Sequence, residues 1–148
     1  MTVAVYVDTS ALAKRYVAEP TSASFEAFIA ASDDDDGLVI NPLVLTELES
    51  VLQRRLRQHD FDASYLERTR EALADDLQSG LWTVQVFDPA AFADARRLMA
   101  DPATPLSTLD ALHLAQARRS GCDAIATSDR QLGRAAALLG LAVHDFSE

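Results

Sequence analysis

The chain has 148 residues, 49% hydrophobic and 24% charged, so a single domain spanning residues 1–148 with an ordinary buried core is expected. The opening MTVAVYVDTS has no basic start, and no stretch approaches the roughly 20 apolar residues of a membrane span, which excludes a spanning helix and points to a soluble, cytoplasmic protein. A net charge of −10 argues against a general phosphate-binding surface, and the lone Cys122, with no base beside it, excludes an internal disulfide and reads as a small buried side chain.

Val3 to Val7 is an apolar, β-branched run that predicts a first strand, and Asp8-Thr9-Ser10 after it can cap a helix through Ala11, Leu12 and Tyr16. Glu19-Pro20-Thr21 ends that helix, and a second runs through Phe25, Phe28 and Ile29 until Asp33 to Gly37 interrupts it. The four aspartates Asp33 to Asp36 read as a solvated loop. A calcium loop needs alternating ligands and a glutamate six residues past the glycine, where Leu43 stands. Leu38 to Ile40 predicts a second strand, and Pro42 opens a helix with Leu45, Leu48, Val51, Leu52 and Leu56 at helical spacing. Asp60 and Asp62 separate it from a further amphipathic helix ending near Gly80. Leu81 to Phe87 alternates like a third strand, Asp88-Pro89 begins a helix that Pro102 to Pro105 ends, and Leu106 to Ser120 is helical. Ala124 to Thr127 predicts a fourth strand, Asp129 to Leu139 a helix, and Leu141 to Phe146 a last short strand. Strands alternating with helices predict an α/β fold whose mainly parallel sheet is covered on both faces through right-handed crossovers.

Ligands of open α/β sheets bind beyond the carboxyl ends of the strands. Asp8 follows the first strand and Asp129 the fourth, so if those strands are neighbours the two carboxylates meet from opposite ends of the chain. Helix capping explains either aspartate alone equally well. Asp110 interrupts a largely apolar helix face that includes Leu106, His113 and Leu114, where a carboxylate must be paired, protonated or cation-bound. Glu47 repeats the pattern among Leu43, Val44 and Val51. Glu49 ranks below it, because Leu45, Thr46, Leu52 and Gln53 make a more mixed face. Four isolated carboxylates in a chain whose only lysine is Lys14 point to a hard cation, magnesium or manganese, rather than zinc.

His59, His113 and His144 are too dispersed for a zinc motif, and His113 reads as a packed or capping residue. Neither a Walker sequence nor GxGxxG occurs. Two divalent cations would bring the charge from −10 to −6, so nucleic acid would have to be gripped locally. Lys14 with Arg15, the run Arg54, Arg55 and Arg57, and Arg118 with Arg119 are the candidate grips, each equally readable as a solvated helix face.

The segments YVDTSAL from Tyr6, TEL from Thr46, LDALHLAQA from Leu109 and TSDRQL from Thr127 give the sequence a resemblance, essentially end to end, to the PIN domain family. It most resembles the VapC-type toxins of bacterial toxin–antitoxin pairs. The resemblance implies a three-layer α/β/α sandwich and magnesium- or manganese-dependent hydrolysis of RNA phosphodiester bonds. It further implies an acidic quartet of Asp8, Glu47, Asp110 and Asp129, with Ser10 and Thr127 as supporting polar neighbours. Asp8 and Asp129 would be the principal metal ligands, Asp110 would bind the ion or orient water, and Glu47 would hold a second position or accept a proton. A homodimer and a small antitoxin protein covering the acidic groove are implied as well. The Asp33 to Asp36 run and the net charge depart from an RNA-handling pattern. An aspartate-nucleophile phosphatase would need an aspartate where Ser10 stands, and both it and a receiver domain need a later lysine that the chain lacks. A PIN-like module kept only for binding ranks below an active enzyme, because all four acids are present.

Overall fold

The computed structural model describes residues 3–33 and 36–148. In chain order the elements are β1 (Ala4–Val7), α1 (Thr9–Tyr16), α2 (Ser22–Ala31), β2 (Gly37–Ile40), α3 (Pro42–Arg57) and α4 (Ala63–Ser79), then β3 (Thr83–Val84), α5 (Ala91–Ala100), α6 (Thr108–Arg119), β4 (Ala124–Thr127), α7 (Arg130–Leu138) and β5 (Ala142–Asp145). Asp34 and Asp35, the middle of the acidic run expected to be a solvated loop, lie outside the described residues. Its flank Asp36 accepts hydrogen bonds from the backbone N–H groups of Val3 and Asp33, each at 3.2 Å.

The strands form one sheet in the order β3-β2-β1-β4-β5, with every pairing parallel. β1 and β4 are near-continuous apolar runs because both are central and both of their faces are covered. The chain first builds outward from β1 through β2 to β3, then crosses back to β4 on the other side of β1. With right-handed crossovers this reversal places the connecting helices on opposite faces. The packing agrees: α1 contacts α2, α3 and α4, while α6 contacts α5 and α7. The result is the α/β/α sandwich expected from the sequence. Its core is built on fully buried side chains such as Val7, Leu12, Ile40, Leu48, Leu114 and Ile125.

Local chemistry sets the helix starts. Asp8, Asn41, Asp62, Ser107 and Asp129 each cap a helix by accepting a backbone N–H. Gly80, at φ +80°, ends α4 in the left-handed conformation that a side chain would strain. In α7, Gly133 permits a close approach, since a Cβ there would lie 3.3 Å from Val143 and 3.7 Å from Thr127.

Three expectations need correction. The third strand has two residues rather than seven, because its partner β2 stops at Ile40, where Asn41 and Pro42 turn into α3. The last ladder bond runs from Gln85 N–H to the Ile40 carbonyl at 2.9 Å, and Val86 beyond it is 86% exposed. The helix expected from Leu106 begins at Thr108, where Ser107 caps it. The helix expected from Asp88-Pro89 begins at Ala91, since the Asp88 carboxylate instead holds a turn by accepting Ala90 N–H at 2.9 Å. Cys122 is buried as expected, and burial, with a smaller push from Asp123, raises its thiol pKa to about 11. No helix among the described residues is long and apolar enough to cross a membrane.

Candidate active site

The site lies where the chain reverses, between the carboxyl ends of the neighbouring strands β1 and β4, which is where open α/β sheets leave a crevice. Asp8 stands one residue past β1 in an extended conformation that turns its carboxylate over the first turn of α1. Its Oδ1 accepts from Ala11 N–H at 2.9 Å and from Ser10 Oγ at 2.7 Å, and its Oδ2 accepts from Thr127 Oγ1 at 2.5 Å. The two hydroxyls are used again. Ser10 Oγ accepts from Ser128 N–H at 2.9 Å and Thr127 Oγ1 from Asp129 N–H at 3.0 Å, so they tie both strand ends to the loop that carries Asp129. Asp8 therefore caps a helix and also floors a crevice; the two readings do not compete. Burial drives its carboxyl pKa up, against donors at Thr127, Ala11 and Ser10.

The other acids arrive from separate elements. Asp129 caps α7, with Oδ1 accepting from Gln131 and Leu132 N–H at 2.9 and 3.1 Å. Asp110 sits in the first turn of α6, half-buried. Its pKa is raised by burial first and then by the negative charges of Asp129 and Asp8, so three carboxylates feel one another. Glu47, in the second turn of α3, accepts from Thr9 Oγ1 at 3.1 Å and pairs with His113 Nε2. All four acids and Ser10 line one cavity of about 310 Å3, with Arg54 and Arg55 also in its wall. Thr127 is fully buried beneath it. Glu49, two residues beyond Glu47, points elsewhere: it pairs with Arg70 and accepts from Gln53, and these partners lower its pKa.

Of the candidate phosphate grips, most are already committed. Lys14 is buried against Glu19 at 2.9 Å, Arg15 pairs with Asp76 and Glu26, and Arg119 pairs with Asp94 and Asp88. Neither these residues nor Arg118 lines the acidic cavity. Arg55 lines it while pairing with Glu19 and Asp60. Arg54 is exposed at its wall and, among the described residues, forms no ion pair.

Whether the acids suit a divalent cation follows from their partners. No lysine or arginine among the described residues pairs with Asp8, Asp110 or Asp129, although their mutual repulsion raises the Asp110 pKa. Such an all-oxygen donor set suits a hard cation. Among the described residues no three His, Cys, Asp or Glu side chains stand close enough to hold one ion jointly. The fit is thus to an ion held by one or two carboxylates that keeps several waters, as magnesium does.

Sequence reasoning missed two members of the site. His113 is 2% exposed; its Nδ1 lies 2.8 Å from Tyr6 Oη while its Nε2 meets Glu47, and Tyr6 Oη accepts from Asn41 Nδ2 at 2.8 Å. The available signal was spacing, because His113 stands three residues after Asp110 and shares its helix face. Nothing local marked Tyr6, a large side chain in an apolar strand.

The PIN domain family model matches residues 5–138. No curated protein matches the chain in sequence. Among solved structures, VapBC2 from Rickettsia felis bound to a DNA fragment from its promoter is similar at 13% identity, over 97% of this chain and 98% of that one, with a TM-score of 0.70. Mycobacterium tuberculosis VapC20, a sarcin-ricin loop cleaving toxin, is similar at 18% identity over 93% and 95%, with a TM-score of 0.67. FitAcB from Neisseria gonorrhoeae is similar at 17% identity over 96% and 97%, with a TM-score of 0.64. At these identities the likeness is one of fold.

Proposed function

The chain belongs to the PIN domain family, and from that membership we propose that it is a magnesium- or manganese-dependent endoribonuclease, the toxin of a VapBC-type toxin–antitoxin pair. The observation that carries this reading is the convergence of Asp8, Asp110 and Asp129, none of them paired with a lysine or arginine among the described residues, at the reversal point of a parallel sheet. A bound divalent cation would supply there a water of lowered pKa and offset the charge developing on the phosphate oxygens.

The chain's own residues have separate tasks in this reaction. Asp8 and Asp129 would hold the cation, their carboxylates fixed by the Ser10 and Thr127 hydroxyls and by their helix caps. Asp110, whose pKa is raised, would orient the attacking water. Glu47, on the facing helix, holds a second position or takes the proton as a general base. Arg54 provides the local phosphate contact that a chain of net charge −10 needs to bring a polyanion to an acidic crevice. No protein nucleophile is required. The phosphatase alternative is weakened further, because Lys14, the only lysine, is held by Glu19 outside the cavity.

The toxin assignment draws support from the likeness to VapC20 and VapBC2, and with it come a small antitoxin partner, a homodimer and a cytoplasmic setting. Exposed Val84, Val86 and Phe92 offer apolar surface for such contacts. The test is incubation of the purified protein with total cellular RNA, with and without a chelator. Cleavage that the chelator stops and magnesium or manganese restores is expected, whereas chelator-insensitive cleavage, or none under any condition, would overturn the assignment.

A further inference from the structure

Between the core and Glu47 runs a chain of buried side chains whose hydrogen-bond directions can be worked out one by one. Asn41 caps α3 by accepting Val44 N–H through Oδ1 at 3.1 Å, which fixes its amide orientation and makes Nδ2 the donor to Tyr6 Oη at 2.8 Å. Having accepted there, the Tyr6 phenol still carries its own proton. His113 Nδ1, at 2.8 Å, is the only other hydrogen-bond partner of Oη among the described residues, so the proton goes to it. Were Nδ1 also protonated, the phenolic O–H would be orphaned in a fully buried site. Nδ1 is thus an acceptor, Nε2 carries the imidazole hydrogen, and that hydrogen goes to Glu47 Oε1, which also accepts from Thr9 Oγ1 at 3.1 Å.

We propose that Tyr6 and His113 are positioning residues for the nuclease reaction: together they hold the imidazole as the neutral Nε2–H tautomer, and this fixes Glu47 as an acceptor whose second oxygen has no hydrogen-bond partner among the described residues. The proposal rests on the nuclease reading for its consequence but not for its geometry. Asn41 anchors both ends, since it starts the helix that carries Glu47 and also starts the relay that reaches Glu47 from β1. Supporting groups of this kind typically change metal affinity or activity by about 10–100-fold when removed.

The experiment combines NMR with kinetics. Uniformly 15N-labelled protein, at a single neutral pH and without metal, should show His113 as one Nε2–H tautomer with a hydrogen-bonded, unprotonated Nδ1. In Tyr6→Phe that Nδ1 resonance should move toward the free-acceptor position. An Nδ1–H or doubly protonated His113 in the wild-type protein would overturn the proposal, whatever the enzyme does. In RNA cleavage, His113→Ala should lower kcat by about 10–100-fold with little change in KM. His113→Gln, whose amide can still donate toward Glu47, should recover part of the loss. In a Glu47→Gln background His113→Ala should cost almost nothing more, because both changes remove the same function. Full additivity in that cycle, or equal losses for the Ala and Gln variants, would assign His113 to packing alone. Wild-type protein that cleaves no RNA would refute the nuclease reading and leave the tautomer result standing.

Discussion

Two partly or fully buried aspartates, at opposite ends of α1, meet opposite fates. Asp76 in α4 receives Arg15 Nε and Nη2 at 2.8 and 3.1 Å and the Tyr16 hydroxyl at 2.5 Å, while Trp82 Nε1 donates to Tyr16 Oη at 2.7 Å. Burial pulls its carboxyl pKa up, but the Arg15 and Tyr16 hydrogen bonds and the guanidinium charge outweigh it, and the pKa falls below the usual range. Asp8 accepts just as many hydrogen bonds, yet none from a cation, and burial wins. Buried acids can be sorted on this contrast: one supplied with an internal cation is held ionised as structure, whereas one satisfied only by neutral donors must take up a proton or meet a cation from outside to offset its charge.

The largest expected effects come from exchanging the two aspartates' fates. Asp8→Asn should lower metal-dependent RNA cleavage by about 10²–10⁴-fold, on the scale of losing a principal catalytic group. The hydrogen-bond network there can survive, since the introduced amide oxygen keeps Ala11 and Ser10 as donors and Thr127 can turn to accept from the amide nitrogen. Asp76→Asn should leave cleavage near the wild-type rate, and comparable losses in the two variants would erase the distinction. Next in size is Arg54→Ala, which should raise KM about tenfold, roughly the 1.5 kcal/mol of one hydrogen bond to a charged group. It should also shallow the slope of log affinity against log salt by about 0.7. An unchanged slope would remove Arg54 from the substrate path. Asp76→Asn should then cost about 1 kcal/mol of stability, a drop of roughly 2–4 °C in the melting midpoint, because the partly exposed pair is screened by solvent.

The smallest effect, and the most diagnostic, is the sign of the pH dependence. Asp8 and Asp110 have raised folded-state pKa values, so above the ordinary 3.8 the unfolded chain has released protons that the native state still holds. Without metal, their contribution falls as pH rises from 3.8 through the raised values. Asp76 runs the other way: its stabilisation is present above 3.8 and lost as pH falls through its lowered folded value. Denaturant midpoints against pH should therefore flatten on the upper side of 3.8 in Asp8→Asn and on the lower side in Asp76→Asn. The same side flattening in both variants would refute the sorting.

Much of this arrangement was legible in the sequence because it is written in local patterns. β1 and β4 are apolar runs ending at a polar turn, and Asp8 and Asp129 fall at those ends, so parallel neighbours would bring them together. Asp110 and Glu47 stood out as charges on apolar helix faces. What stayed hidden depends on partners distant in sequence. Arg15 looked like a phosphate grip because nothing near it announces Asp76, 61 residues away. Tyr6 and His113 are separated by 107 residues, and a hydroxyl inside a strand gives no sign of its acceptor. The third strand was overread because alternation from Leu81 to Phe87 records which side chains can be covered, not how long the neighbouring strand lasts.

The central claim is that the uncompensated carboxylates are completed by a divalent cation, and thermal melting of wild-type and Asp8→Asn protein with and without magnesium or manganese tests it most directly. Without metal, Asp8→Asn should melt above wild type, because one buried negative charge is gone. Added cation should raise the wild-type midpoint and leave the variant nearly unmoved, since only the wild type gains binding free energy in the folded state. A wild-type midpoint indifferent to both cations, together with an Asp8→Asn protein that melts lower without metal, would contradict the account.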